Sequence, residues 1–314
     1  MESEFRLENY LAQIGYSGPT GADLRTAEII GSGVHRDDTG PIIMESEFRL
    51  ENYLARIGYN GSTGADLETL QALKTSHLEA IPFEALDPFL RRPVKLDLAS
   101  VVAKLVDDKR GGYCFEQNLL FRAALEAIGF KVTGLAGRVR WMSPPDSPLG
   151  PKTHMMLRID LAGGAYLADV GFGACLLDAP LHLKADVEQV TAMGTYRLTR
   201  SDGLLSLGAK RGTGWRTLYV FDLQPQIQAD YELGNWFTST NPSTPLTTRL
   251  IMERLAGGKR HRLIDRALST EARDGEVVAE RTLRSANELS EVMRDTFKVV
   301  PPVPAEEIFN MTGG

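Results

Sequence analysis

The chain has 314 residues, 43% apolar and 24% charged, which suits a globular protein with a sizeable core. A net charge of −6 supplies no basic footprint for nucleic acid, and no apolar run reaches the roughly 18 residues of a membrane span. Two cysteines without CxxC spacing exclude a disulfide framework and argue against a metal site.

The N-terminus, MESEFRLENY, lacks the basic and apolar regions of a secretory signal, so a cytoplasmic location is expected. Residues 1–26 and 44–69 are near copies, differing only at Gln13/Arg56, Ser17/Asn60, Pro19/Ser62 and Arg25/Glu68. A single extra copy is too few for a solenoid. The second copy continues into LQALKTSHLEAIPFEALD, where Leu70, Leu73, His77, Leu78 and Ile81 recur at roughly helical spacing. The first runs into a Gly- and Asp-rich stretch without a period. Residues 1–43 are therefore read as a mobile appendage and 44 as the start of the fold. The competing reading has Phe5–Ile14 docking as an amphipathic helix.

From 44 to 129 the pattern is helical. Leu98–Val106 is a predicted helix with Asp97 as its N-cap, and Phe115–Ile128 is another, closed by Gly129. From Lys131 strands take over, as KVTGLAGRVRW, THMMLRIDL and AYLADVGFG. SPPDSPLGPK is a Pro-rich loop between the first two, and TYRLTR, GLLSLGAK and RTLYVFDL carry the rhythm to about 222. A helical stretch near Ser243–Leu255, strand-like HRLIDRAL and EVVAERTL, and a helix over Ala286–Thr296 complete the chain. Helices, then antiparallel strands, then a mixed part make an α+β architecture. Four segments are expected: 1–43, 44–129, 130–225 and 226–314.

The chemistry concentrates in Arg110-Gly111-Gly112-Tyr113-Cys114-Phe115-Glu116-Gln117-Asn118. Paired glycines allow a sharp entry into the following helix, so Cys114 falls near its first turn. Orphan N–H groups and the positive dipole end there favour a thiolate. A buried helix-start cysteine beside a plain Gly-Gly turn explains the stretch equally well. Cys175, flanked by Ala174 and Leu176-Leu177, reads as a buried structural residue.

A nucleophile needs a base and the base an orienter. His77 lies on an apolar helix face and reads as structural; His35, His182 and His261 have no suitable setting. His154 opens a strand, and Asp169 ends the next one inside apolar Tyr166–Val170, where a carboxylate is costly unless paired. A tight turn at Gly163-Gly164 would put Asp169 opposite Arg158, about 13 Å along the strand from His154. Bringing the two together then requires a wider turn nearer Leu161-Ala162, or a bulge.

These residues resemble the arylamine N-acetyltransferase family. RGGYCFEQN is similar to the block around its nucleophile, THMMLRI to that around its histidine and LADVGFG to that around its aspartate. IPFEALD and NWFTSTNPSTPL resemble two further blocks, so the likeness spans roughly residues 44–300. It implies an N-terminal helical bundle, a central antiparallel β-barrel and a C-terminal α/β lid around a papain-like catalytic core. It also implies ping-pong transfer of an acetyl group from acetyl-CoA to an arylamine, arylhydrazine or arylhydroxylamine, with no metal. In that reading Cys114 carries the acetyl group, His154 exchanges protons and Asp169 orients the imidazole. The resemblance further implies oxyanion stabilisation by backbone N–H groups, including that of Cys114. Phe172 and Val139 become substrate-binding positions, and a Glu84–Arg110 pair braces the nucleophile loop. Ala85 departs from the family's usual Asn. Gly171, Gly173, Thr238 and Ser239 are candidate CoA contacts, although no phosphate-binding glycine motif marks them. Competing readings are a papain- or transglutaminase-like hydrolase, an amide synthase using a carrier-protein thioester, and a non-catalytic binding protein.

Overall fold

The structure, a computed structural model, describes residues 48–144 and 146–313. The first copy of the repeat, the appendage reading of 1–43 and His35 lie outside the described residues.

Helix α1, Leu50–Arg56, buries Tyr53. Helix α2, Leu67–Ala80, starts where the Asp66 carboxylate accepts from Thr69 N at 2.8 Å. A two-residue strand β1, Phe83–Glu84, and a short helix α3, Leu86–Phe89, follow. Helix α4, Leu98–Val102, has the predicted Asp97 cap, with Ser100 N donating at 2.8 Å, but continues as a π-helical turn over Ala103–Asp107. Helix α5, Cys114–Ile128, ends at Gly129, whose φ of 104° is the left-handed stop. It begins one residue earlier than the apolar pattern suggests, so that Cys114 is its first residue.

Eight strands then wrap into a nearly closed antiparallel sheet: β2 Lys131–Val139, β3 His154–Leu161, β4 Gly164–Ala168, β5 Leu181–His182, β6 Glu188–Val190, β7 Thr195–Ser201, β8 Leu204–Arg211 and β9 Gly214–Phe221. Their order is β5-β4-β3-β2-β9-β8-β7-β6. The Gln189 side chain bridges the two edges, accepting from His182 N at 2.7 Å and donating to His182 O at 2.9 Å. Leu135, Leu167, Leu198, Leu207 and Phe221 fill the interior.

Helix α6, Gln228–Thr240, which the sequence reading left unassigned, leads to α7, Pro245–Thr248. The helix expected over Ser243–Leu255 is thus confined to four residues, and β10, Ile251–Ala256, takes its second half. Leu246 and Leu250, four apart, mimic helical spacing, but pairing decides: β10 lies between β1 and β11, Lys259–Ile264. β12, Ala267–Glu271, and β13, Val277–Thr282, complete this second sheet, and α8, Ala286–Asp295, packs on it with α9, Ala305–Met311. Among the described residues no helix is long and apolar enough to cross a membrane.

Candidate active site

Cys114 and His154 are buried at the floor of a cleft of about 310 Å³. The backbone enters α5 through Gly111 and Gly112. A Cβ on Gly111 would collide with Pro82 O, so the loop closes against β1 only with glycine there. Glu116, one turn into the helix, accepts from Tyr113 N at 3.1 Å and fixes the entry. Cys114 N–H is an orphan donor of the first turn.

His154 opens β3 opposite Gly137 of β2. Its Nε2–H donates to Asp169 Oδ2 at 2.7 Å, and Cys114, whose Sγ donates to Thr153 O at 3.6 Å, lines the same cleft as the imidazole. The β3–β4 turn is tight rather than wide, and no bulge interrupts the pairing. Its two turn residues are Ala162 and Gly163, with Leu161 paired to Gly164. Moving the centre by one residue from Gly163-Gly164 shifts the register by two. One residue beyond the Leu157–Ala168 pair, Asp169 comes level with Met156. Met156 and His154 share a face, so imidazole and carboxylate become diagonal neighbours within side-chain reach.

Burial alone would disfavour the imidazolium, but the Asp169 carboxylate outweighs it, with Cys114 adding to the effect, and raises His154 to about 10. Burial would likewise favour the neutral acid at Asp169; His154, Gly171 N–H and Asn118 reverse that and hold it below the usual carboxylate range.

Two residues at this centre had no assigned role in the sequence reading. Asn118, one turn after Cys114, donates to Asp169 Oδ1 at 3.2 Å, Met155 O at 2.9 Å and Cys114 O at 3.1 Å. Its place four residues after the cysteine, on the same helix face, was the available signal. Tyr219 donates to Asp169 Oδ2 at 2.9 Å, and its ring lies against His154, tilted by 39° with centroids 4.7 Å apart. It comes from β9, where only strand alternation pointed inward.

Phe172, Val139, Gly171, Gly173 and Thr238 line the cleft with the thiol and imidazole. Gly171 is needed there: a Cβ would lie 2.5 Å from Cys114 Cα. Ser239 is not a lining residue; its hydroxyl turns back to Asn235 O at 2.7 Å. Glu84 and Arg110 meet at 2.6 Å, within a chain of buried charges that runs through Asp87 and Lys104 to Glu116. His77 is a satisfied structural residue, bonded to Tyr53 and Gln117 at 2.9 and 2.7 Å, and burial lowers it to about 3. Cys175 is buried in the sheet interior. No group of metal-ligating side chains occurs among the described residues.

A family model described as N-acetyltransferase matches residues 66–303. An arylamine N-acetyltransferase of Mycolicibacterium smegmatis is 42% identical over 64% of this chain and 74% of its own length. The Escherichia coli K12 enzyme of that name is 39% identical over 73% of this chain and 80% of its own. The solved Mycobacterium marinum arylamine N-acetyltransferase superposes with a TM-score of 0.80 at 36% identity, covering 84% of this chain and 99% of its own. Another structure of the M. marinum enzyme, in complex with CoA, gives 0.79 at the same identity and coverage. Fold and matched sequence define the class, an acyltransferase. The chain belongs to the arylamine N-acetyltransferase family.

Proposed function

We propose that the protein transfers an acetyl group from acetyl-CoA to the nitrogen of an arylamine, arylhydrazine or arylhydroxylamine through a thioester on Cys114. The observation that carries this reading is the His154–Asp169 hydrogen bond with Cys114 lining the same apolar cleft as the imidazole. A protonated His154 in the same cleft as Cys114 can give up a proton and take it back.

Cys114 Sγ attacks the acetyl carbonyl, and the orphan Cys114 N–H stabilises the developing oxyanion. Collapse breaks the carbon–sulfur bond to CoA, and His154 gives its proton to the departing thiolate. The acceptor nitrogen then attacks the Cys114 thioester. His154 takes the nitrogen's proton, Cys114 leaves as thiolate, and the starting ion pair returns. Asp169 keeps the imidazole oriented and offsets its charge in both halves. Gly171, Gly173 and Thr238 are the proposed contacts for the CoA arm, and Phe172 and Val139 those for the acceptor. A reducing, cytoplasmic setting suits a free thiol in this role.

The test is intact-mass spectrometry after incubation with acetyl-CoA and no amine. One acetyl adduct is expected on the wild type and none on Cys114→Ala. An unmodified wild type that also fails to release CoA rejects the thioester route.

A further inference from the structure

Three fully buried polar side chains form a line into the start of α5: Tyr53 of α1, His77 of α2 and Gln117 of α5. Tyr53 Oη lies 2.9 Å from His77 Nδ1, and His77 Nε2 lies 2.7 Å from Gln117 Oε1. At the far end Gln117 Nε2 is 2.7 Å from Pro82 O and 3.2 Å from Gly112 O. Carbonyl oxygens only accept, so the amide nitrogen must face them and the amide oxygen must face His77. His77 therefore donates from Nε2, its Nδ1 accepts, and the Tyr53 hydroxyl is the donor to it. Burial lowers His77 to about 3, so the ring stays neutral and keeps this one tautomer at neutral pH. Two backbone carbonyls thus fix the direction of every hydrogen bond in the line.

The line ends beside the nucleophile. Gly112 stands two residues before Cys114, and Gln117 three after it, one turn along the same side of α5. The amide ties the first turn of the helix to the loop that enters it, and between those two anchors lies the Cys114 N–H. Each carbonyl also has a backbone donor: Gly112 N to Pro82 O at 3.4 Å, and Glu84 N to Gly112 O at 3.0 Å. Loss of the amide would orphan neither carbonyl, but it would free the loop to turn. A donor aimed at a developing oxyanion tolerates little of that, since misplacement by about 1 Å can cost roughly a hundredfold in rate. We infer that Gln117 is a positioning residue for Cys114, and that Tyr53 and His77 act through it by setting which way its amide faces. This rests on the thioester reading above and deepens it: α1 and α2 share in aiming the Cys114 N–H.

The experiment follows acetylation of Cys114 in the full-length protein by rapid-quench mass spectrometry over a range of acetyl-CoA concentrations. Gln117→Met should load about tenfold or more slowly at saturation, with the half-saturating concentration within about twofold of wild type. If Gln117→Met does not fold, His77→Leu takes its place with the same expectation. His77→Gln, whose amide again offers one acceptor and one donor, should recover most of the His77→Leu loss. A folded Gln117→Met or His77→Leu protein that loads at the wild-type rate overturns the inference. So does a defect confined to half-saturation, or a His77→Gln protein as slow as His77→Leu. Nitrogen-15 spectra of the histidine rings test the donor order without any turnover: the signal lost in His77→Gln should be a neutral ring protonated at Nε2, unchanged from pH 5 to 9. A ring protonated at Nδ1 overturns the inference and leaves acetyl transfer standing. A wild type that forms no acetyl adduct rejects the thioester reading, and this inference with it.

Discussion

Asp169 is fully buried, and each of its oxygens accepts two hydrogen bonds: Oδ2 from His154 and Tyr219, Oδ1 from Gly171 and Asn118. Four donors on one carboxylate make its ionised form tolerable in the core. The sign of the pH dependence follows. His154 is raised to about 10 in the fold, above its ordinary 6.5, so its contribution is full below about 6.5 and fades as pH climbs through about 10. Lys74, lowered to about 8 by burial, pulls the alkaline slope the other way, so the informative quantity is a difference between proteins. Urea unfolding from pH 6 to 10 should show wild-type stability declining more steeply than that of Asp169→Asn. Parallel curves would mean that this pair does not shift the imidazole. Tyr219→Phe removes one donor and leaves the ring stack; a loss of about 1–2 kcal/mol is expected in the same assay, as for a bond to a charged group.

At the level of elements, the start of α5 is braced by charge as well as by glycine. Arg110 bonds Glu84 and Asp87, Lys104 bonds Asp87 and Glu116, and Glu116 holds Tyr113 N. Arg110→Met would leave Glu84 buried without its cation, at a cost of about 3–5 kcal/mol. Thermal unfolding checks the magnitude, and slower acetyl loading of the surviving folded fraction checks the link to Cys114. The Glu84–Arg110 half of this brace was legible from the family resemblance. Asp87, Lys104 and Glu116 were not, because pairs between a strand, a π-helical turn and a helix start leave no period in a sequence. The grouping of Cys114, His154 and Asp169 was legible for the opposite reason: each sits in a short local motif. The β3–β4 turn shows where local reading fails. A Gly-Gly pair looks like a turn centre, yet the positive φ of 125° falls on Gly164, which pairs with Leu161. A one-residue error in the centre moved Asp169 by two positions.

Across the whole molecule, the segment that follows the Gly171–Gly173 loop is fastened to the C-terminal sheet. Arg260, 1% exposed, pairs with Glu253 at 3.1 Å and Glu271 at 3.0 Å and donates to Leu176 O at 3.1 Å. Glu253 accepts from Leu176 N at 3.1 Å. Leu176 lies just beyond the Gly171–Gly173 loop, so this cluster sets the wall of the cleft from behind. Arg260→Met leaves buried Glu253 without its ion-pair partner, while Glu271 keeps Arg211 and Arg262. A loss of about 3–5 kcal/mol in urea unfolding is expected; a change under about 1 kcal/mol would mean that the cluster is dispensable. His261, the next residue, gave no hint of it: Arg260 reads in sequence as one more basic residue in a solvated run, and its burial comes from sheet pairing.

Strand β1 is only two residues long, but Phe83 pairs with Glu253 on one side and bridges Gly112 on the other. The floor beneath the loop that leads into Cys114 is thus finished by residues made long after that loop. A nascent chain leaving the ribosome displays Cys114, His154 and Asp169 well before Ile251–Ala256 has been translated. Until that strand emerges, Phe83–Glu84 has only Gly112 to pair with, and a contact of such long sequence separation closes late. Truncated translation products should therefore contain all three side chains without the loop geometry that brings them into line.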